Sequence, residues 1–328
     1  MKLFVSGSSG HLGEALVRRL RADGHAVLGV DILPGDSTDV VASITDRERM
    51  RDCLRDIDAV LHTATLHKPH VATHTPQAFI DTNISGTLTL LEGAVEAGVG
   101  AFVFTSTTST FGDALVPPPD QPAAWITESV GLQPKNVYGV TKAAAEDLCQ
   151  LFQRNAGLPC LILRTSRFFP EADDNPDRRQ AFDDLNLKTI ELLYRRVDLH
   201  DVVSAHQAAL ANARRIGFGK YIISATTPFR PLDLPLLRGQ ADVVLRGLLP
   251  DYEPVFRQRG WRMLSDIERV YVNERARTEL GWRPEYDFAR AIDDLAQGRD
   301  PRSPLARSIP SKGYHPGRFE DGLYPVQR

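Results

Sequence analysis

The feature that most constrains this chain is a glycine-rich turn close to its first residue. The apolar run at residues 2–6 predicts a buried β-strand, and Gly7-Ser8-Ser9-Gly10-His11-Leu12-Gly13 follows it directly. An amphipathic helix is predicted next, over residues 12–23, with Gly24 ending it. Glycine permits a tight turn and a close backbone approach, while the N-terminus of a helix offers free N–H groups and a positive dipole. This context predicts a cradle for the pyrophosphate of a dinucleotide. The residues expected there are Gly7, Ser9, Gly10, His11, Leu12 and Gly13.

An acidic residue stands where the dinucleotide's adenosine ribose is expected. Asp31 ends the second predicted strand, 18 residues beyond Gly13, where a carboxylate can accept hydrogen bonds from both ribose hydroxyls. A carboxylate also repels a 2′-phosphate, so NAD is favoured over NADP. The alternative is an ordinary turn aspartate that precedes Pro34-Gly35.

Short apolar runs alternate with helical stretches through the first half of the chain, which is typical of βαβ units. The predicted fold class is therefore α/β, a Rossmann-type doubly wound parallel sheet with a smaller, loop-rich C-terminal substrate lobe. Residues 1–165 form the NAD-binding part, to which residues 198–226 return, and residues 166–197 and 227–300 form the lobe. The Pro-rich residues 301–328 are expected to be a disordered tail or an extended arm. Predicted strands are 2–6, 26–31, 59–62, 101–106, 159–165 and 221–224; predicted helices are 12–23, 47–55, 77–97, 137–156, 201–213 and 273–280.

Composition excludes several classes of protein. The 328 residues carry a formal net charge of -3, so a nucleic-acid partner is not expected. No apolar run approaches the roughly 18 residues of a membrane span, and no signal-peptide pattern opens the chain. The three cysteines, Cys53, Cys149 and Cys160, form no disulfide or metal pattern and favour a reducing compartment. We expect a cytoplasmic protein without a membrane partner.

A tyrosine and a lysine at helical spacing suggest proton-transfer chemistry. Tyr138 and Lys142 are four residues apart in the predicted helix 137–156, so their side chains share a face. Lowering a tyrosine pKa from ~10 to ~7 requires about 4 kcal/mol of preferential phenolate stabilisation. A nearby ammonium and the positive nicotinamide ring can supply it. The alternative is a surface Tyr/Lys pair, but the strand that ends in Thr105-Ser106-Thr107 places hydroxyl groups at the ligand-binding edge of the sheet.

Taken together, residues 1 to about 290 resemble the extended short-chain dehydrogenase/reductase family, also called the NAD-dependent epimerase/dehydratase family. The motifs that carry the resemblance are the Gly7–Gly13 turn, Asp31, His62-Thr-Ala-Thr65, Asn83 within residues 82–87, Thr107 five before Gly112, Tyr138 with Lys142, and Glu279-Leu-Gly-Trp-Arg-Pro284.

The resemblance implies roles for these residues. Tyr138 would be the general base, Lys142 would hold the nicotinamide ribose and lower the tyrosine pKa, and Thr107 would bond the substrate oxygen. Asn83 belongs to the same catalytic set, while Ala64 and Ser43 would border the cofactor. Ser43 stands where the family often has an aspartate that touches the adenine amine. The family also implies a homodimer through helices 77–97 and 137–156.

Departures from the family pattern bear on the substrate. Thr108-Ser109 replaces the Asp-Glu that dehydrating members carry, which argues against dehydration. Arg167 replaces an asparagine typical of nucleotide-sugar enzymes, and about thirty residues separate Pro170 from the next helix, so the nucleotide pocket is expected to be abbreviated. Arg167 could clamp a carboxylate or phosphate, or it could pair with nearby acids. The expected substrate-binding residues are Thr108, Arg167 and His67. A metal site at His67, His70 and His74 is not expected, because no acid or cysteine completes it.

Three hypotheses of function follow. The first is an NAD-dependent dehydrogenase that oxidises a secondary hydroxyl of a small sugar-like or sugar-acid substrate. The second is an epimerase of sugars or nucleotide sugars that retains its NAD. The third is a regulator that binds NAD(P) without turnover, against which the intact Tyr138, Lys142 and Thr107 argue.

Overall fold

The computed structural model describes residues 1–173 and 175–312, and its central element is a seven-stranded parallel sheet. The strand order is β3-β2-β1-β4-β5-β7-β8, which reverses direction between β1 and β4 as in a doubly wound fold. The strands are β1 (Lys2–Ser6), β2 (Ala26–Asp31), β3 (Val40–Val41), β4 (Ala59–His62), β5 (Phe102–Thr107), β7 (Cys160–Thr165) and β8 (Phe218–Ile223). The predicted fold class is confirmed.

The strands are apolar throughout because both faces of the sheet are covered. Leu3 and Val5 of β1 pack with helices on one face, whereas Phe4 packs on the opposite face. The first face carries α1 (His11–Ala22) and α8 (Leu199–Ile216); the second carries α2 (Arg47–Cys53), α4 (Gly86–Glu96) and α5 (Val137–Ala156). This arrangement brings the carboxyl ends of β1, β4, β5 and β7 to one edge of the sheet.

The helical stretch predicted at residues 77–97 contains an irregularity. It begins as α3 (Pro76–Phe79), continues as a π-helical segment at Ile80–Ser85, and becomes the regular α4 at Gly86. The π segment carries Asn83, and such segments often occur at functional sites.

A second apolar core supports the C-terminal part of the chain. A two-stranded parallel sheet pairs β6 (Ala124–Ile126) with β9 (Arg269–Tyr271). The helices here are α6 (Pro176–Ala181), α7 (Asp184–Glu191), α9 (Leu234–Leu237), α10 (Ala241–Leu248), α11 (Tyr252–Arg259), α12 (Glu274–Glu279), α13 (Phe288–Ala296) and α14 (Pro304–Ser308); short 3-10 helices occupy Lys68–Ala72, Thr108–Leu115 and Pro231–Asp233.

The structure has helices in two segments of this part where the sequence analysis predicted none. Residues 166–197 contain α6 and α7, which begin at the side-chain caps of Asn175 and Asp183. Residues 304–308 of the predicted tail form α14, whereas residues 313–328, with Tyr314, Phe319 and Tyr324, lie outside the described residues. The division into a cofactor part and a substrate lobe stays a prediction.

A buried neutral histidine between sheet and helix makes stability depend on pH. His206 of α8 donates from Nδ1 to the Val202 carbonyl at 2.8 Å, so its Nε2 accepts from the Thr105 hydroxyl at 2.8 Å. Burial lowers its pKa to about 4 from the usual 6.5. Between these two values the unfolded chain binds more protons than the folded chain, so stability is lost as the pH falls through this window.

We therefore expect the free energy of unfolding of the wild type, relative to a His206→Gln variant, to fall by up to about 3 kcal/mol between pH 7.5 and pH 4. Urea denaturation at several pH values measures this difference, and comparison with the variant cancels the contributions of other groups. His74→Gln, on an exposed side chain, is the control. A difference that does not change with pH would contradict the prediction.

Candidate active site at the carboxyl edge of the sheet

The glycine turn has the geometry that a pyrophosphate cradle requires. Gly7 adopts a positive φ of 74°, and a Cβ on Gly13 would lie 1.8 Å from the carbonyl oxygen of Gly7. Gly10 is the N-cap of α1, so the N–H groups of its first turn have no acceptor within the helix. A Cβ at Gly7 or Gly13 would collide with neighbouring backbone atoms, so only glycine permits this tight turn. The tight turn and the free N–H groups that begin α1 together fit the pyrophosphate of a dinucleotide.

Asp31 lies directly beside this turn. Its carboxylate accepts hydrogen bonds from the backbone N–H of Ser9 at 3.0 Å and of Leu33 at 2.9 Å. Burial raises its pKa, and these backbone hydrogen bonds oppose the increase. The carboxylate is thus fixed at the end of β2, next to the turn, as the ribose-binding prediction requires.

Ala64 and Ser43, the other two residues expected to border the cofactor, differ in their contacts. Ala64 follows β4 and packs on the turn, because a Cβ on Gly7 would lie 2.7 Å from the Ala64 nitrogen. The Ser43 hydroxyl bonds within its own loop, to the hydroxyl of Thr45 at 2.8 Å and to its N–H at 3.2 Å. Adenine binding by Ser43 stays a prediction.

Thr107, Tyr138 and Lys142 meet where β5 ends. The side chains of Thr107 and Tyr138 lie close enough for the threonine hydroxyl to act on the tyrosine, whose pKa it lowers, and both residues are 8% exposed. Lys142 lies one turn along α5, with Nζ 4.0 Å from the centre of the Phe104 ring. Thr107 also accepts the N–H of Ser109 at 3.1 Å, while Thr108 begins the following 3-10 helix and is buried. The fold thus brings together the side chains that the sequence singled out.

Burial dominates the ionisation of both groups. It raises the pKa of Tyr138 to about 12, and the Thr107 hydroxyl only partly opposes it. Burial also lowers the pKa of Lys142 to about 7. The lowering of the tyrosine pKa by the lysine together with the nicotinamide ring stays a prediction.

Asn83 acts on the shape of the site rather than facing into it. Its Nδ2 donates to the Leu66 carbonyl at 2.9 Å and to Thr141 Oγ1 at 3.0 Å. Its Oδ1 accepts from the Leu66 N–H at 2.8 Å and from Thr65 Oγ1 at 2.9 Å. All four hydrogen-bonding positions of the amide are used by the protein, so Asn83 fixes the loop after β4 against α5, and a catalytic role for it stays a prediction.

A buried acid that the sequence analysis missed lies on α5 beyond Tyr138 and Lys142. The Glu146 carboxylate, one turn beyond Lys142, accepts from Arg164 Nη2 at 2.7 Å and from Ser106 Oγ at 2.6 Å. Lys220 Nζ lies 3.2 Å away. Burial raises the pKa of Glu146, but Arg164 more than compensates and holds it below its usual value. The i+4 spacing from Lys142 was a usable signal, because both side chains point to the buried face of α5.

Arg167 forms ion pairs with nearby acids, which is the second of the two alternatives given above. Its Nη1 lies 2.5 Å from Asp173 and 3.1 Å from Glu191. Arg195 and Arg196 contact the same Glu191 carboxylate, which is buried and has its pKa held well below the usual value by the three guanidinium groups despite burial. Arg167 therefore belongs to a structural ion cluster, and substrate binding by it stays a prediction.

A cavity of about 260 Å³ opens next to the glycine turn. The His11 ring, 2% exposed, lies on one side and stacks on Phe168 with ring centres 6.3 Å apart. His67 lies near Phe169 at 6.0 Å and packs edge-on against His70 at 4.6 Å. Among the described residues no group of three or more His, Cys, Asp or Glu is arranged to hold a metal, and no described helix is long and apolar enough to span a membrane. Cations that border the cavity are Lys188, Arg196 and Arg302.

Comparison with known proteins agrees with this geometry. Residues 3–220 match the model of the NAD dependent epimerase/dehydratase family. Two relatives named UDP-glucose 4-epimerase are similar over nearly the whole chain. The one from Rhizobium meliloti (strain 1021) is 29% identical over 90% of this chain and 95% of its own length. The one from Lactobacillus helveticus is 32% identical over 90% and 94%.

Solved structures share the fold. A short-chain dehydrogenase/reductase superfamily protein from Agrobacterium tumefaciens, with bound NAD, superimposes with a TM-score of 0.64 at 23% identity, covering 94% of this chain and 97% of its own. UDP-glucose 4-epimerase from Thermotoga maritima, with UDP-glucose, gives 0.60 at 22% identity, covering 91% and 99%. At these identities the likeness concerns the fold.

Proposed function

This chain belongs to the NAD dependent epimerase/dehydratase family, and from that premise we propose that it is an NAD-retaining epimerase that inverts a secondary hydroxyl of a sugar. Nucleotide sugars are the first substrate class to test, because relatives named UDP-glucose 4-epimerase align with about nine-tenths of the chain. The observation that carries the proposal is that Thr107 and Tyr138 lie close together, with Lys142 one turn further along α5, at the sheet edge that also holds the glycine turn.

The roles of the side chains follow from their positions. Tyr138 removes the proton of the sugar hydroxyl and later returns it, and Thr107 orients the same oxygen through its own hydroxyl. NAD, when bound, would supply the hydride acceptor and donor. Lys142, above the Phe104 ring, holds positive charge near Tyr138 and favours its deprotonated form. Asn83 keeps the loop after β4 in place around this group.

A dehydrogenase that releases NADH and a ketone is the second candidate. It is favoured by the shortness of the segment between β7 and α8, residues 166–198, from which we expect an abbreviated nucleotide pocket.

One experiment separates these functions. The purified protein is incubated with NAD and, in parallel, with UDP-glucose, free hexoses and hexuronic acids. Formation of the epimer without accumulation of NADH supports the epimerase. Stoichiometric NADH with a ketone product supports the dehydrogenase. NAD binding without either product would contradict both and favour the regulator.

We also propose a homodimer through the run at residues 77–97 and α5. Exposed apolar side chains occur on both: Ile80 is 40% and Val95 39% exposed, and Val140 is 52% and Leu151 39% exposed. Apolar groups at such positions are commonly buried when a second copy binds. Light scattering at micromolar concentration tests this, and a monomer would contradict it.

A further inference from the structure

The segment at residues 301–312, here called the C-terminal strap, is fixed to the cofactor-binding half of the molecule. The Ser303 N–H donates to Asp198 Oδ2 at 3.1 Å, where α8 begins, and Ser303 is fully buried. α14 follows, and Ile309 then inserts into the core formed by α1, α8 and the sheet, where it is 1% exposed. A buried apolar side chain thus anchors the strap to the core.

Beyond this anchor the strap crosses the glycine turn. The Pro310 carbonyl faces the His11 ring, and Ser311 Oγ donates to Glu171 Oε1 at 2.5 Å. The Lys312 ammonium forms an ion pair with Glu14, which lies in the first turn of α1. Lys312 also lies close enough to Asp31 to act on its pKa: burial raises that pKa, and the lysine's charge works in the opposite direction.

Glu14 is contacted by more than one cation. It is 7% exposed and lies against Arg18 and Lys312, whose side chains are 46% and 21% exposed. A single carboxylate needs one cation, so Glu14 keeps Arg18 if the lysine turns toward another anion. A pyrophosphate on the Gly7–Gly13 turn would be such an anion, because Glu14 follows Gly13 directly.

We propose that Lys312 is a binding residue for the cofactor's pyrophosphate, and that the strap carries it across the turn and retains the dinucleotide. The flexible lysine stem lets Nζ move from Glu14 to a phosphate oxygen without displacing the Ile309 anchor. This inference deepens the proposed function, since an epimerase must keep its NAD through many turnovers, and it rests on NAD binding at the glycine turn.

The test measures NADH binding without any sugar. We expect Lys312→Ala to weaken NADH binding about tenfold and to speed its release, because a charge-assisted contact with phosphate is lost. Arg307→Ala removes the same charge from an exposed position of the same strap and is the matched control, expected to change affinity less than about twofold. Fluorescence titration gives the affinity, and displacement by excess NAD gives the release rate.

A second variant separates direct contact from neutralisation of Glu14. If Lys312 touches phosphate, the double variant Glu14→Gln, Lys312→Ala stays as weak as Lys312→Ala. Wild-type NADH affinity in the double variant would overturn the proposal. So would an unchanged NADH affinity in Lys312→Ala, or equal losses of affinity in Lys312→Ala and Arg307→Ala. The backbone amides of Ile309, Ser311 and Lys312 should also exchange more slowly with NADH bound. Because no sugar is present, these results do not depend on whether the protein proves to be an epimerase.

Discussion

Replacing Tyr138 by phenylalanine should reduce turnover by about a thousandfold while leaving the fold and NADH binding intact. Phenylalanine keeps the buried ring and removes only the hydroxyl beside Thr107. The site then loses the group that we propose takes the proton from the sugar. Turnover is measured as epimer formed, or as NADH if the dehydrogenase alternative holds.

Tyr221→Phe is the matched control for this prediction. It removes the same atom from a tyrosine in the core, whose hydroxyl donates to Glu279 at 2.8 Å, and it should leave turnover close to wild type. Thermal unfolding and NADH titration of both variants show that folding and cofactor binding are intact. If Tyr138→Phe kept more than about a tenth of the activity, the assignment of Tyr138 as general base would fail.

The largest effect on stability is expected at Glu146. Its side chain is 0% and that of Arg164 3% exposed, and Arg164 bonds both carboxylate oxygens, with Nε at 3.0 Å and Nη2 at 2.7 Å. Glu146→Gln leaves the buried guanidinium without a counter-charge, which costs about 3 kcal/mol or more of the free energy of unfolding. Urea denaturation of the variant measures the loss.

The same substitution should also change the pKa of Lys142. Burial is the main cause of the lowered pKa of Lys142, and the negative charge of Glu146 opposes it. Removing this charge lowers the lysine pKa further, so Lys142 loses its proton at a lower pH. As the pH is raised, the activity of Glu146→Gln should therefore decline at a lower pH than that of the wild type.

Glu92→Gln, which breaks the exposed pair with Arg47, is the control for the stability prediction and should lower the free energy of unfolding by less than about 1 kcal/mol. A loss of similar size in Glu146→Gln would contradict the prediction.

The parts of the fold that were predictable are those in which neighbouring residues decide the structure. β1, β2, β4 and α5 have the predicted bounds, because apolar runs and capping residues such as Asn136 and Gly157 are local signals. The π segment around Asn83 and the helices α6 and α7 were missed, because contacts with distant parts of the chain select them. The comparisons also favour the epimerase alternative over the dehydrogenase that the sequence analysis placed first.

The order of residues along the chain was enough to indicate the candidate groups: a glycine turn before a helix, an acid at the end of β2, and a tyrosine four residues before a lysine. These depend on spacing along one element, where covalent geometry fixes which side chains meet. The ionisation of these groups and their contacts follow from the tertiary structure. Burial raises the pKa of Tyr138. Ion pairs join Glu146 to Arg164 and Arg167 to Glu191. Another joins Lys312 to Glu14, 298 positions apart in the chain. Burial and charge pairing depend on which distant segments pack together, and no local pattern encodes that.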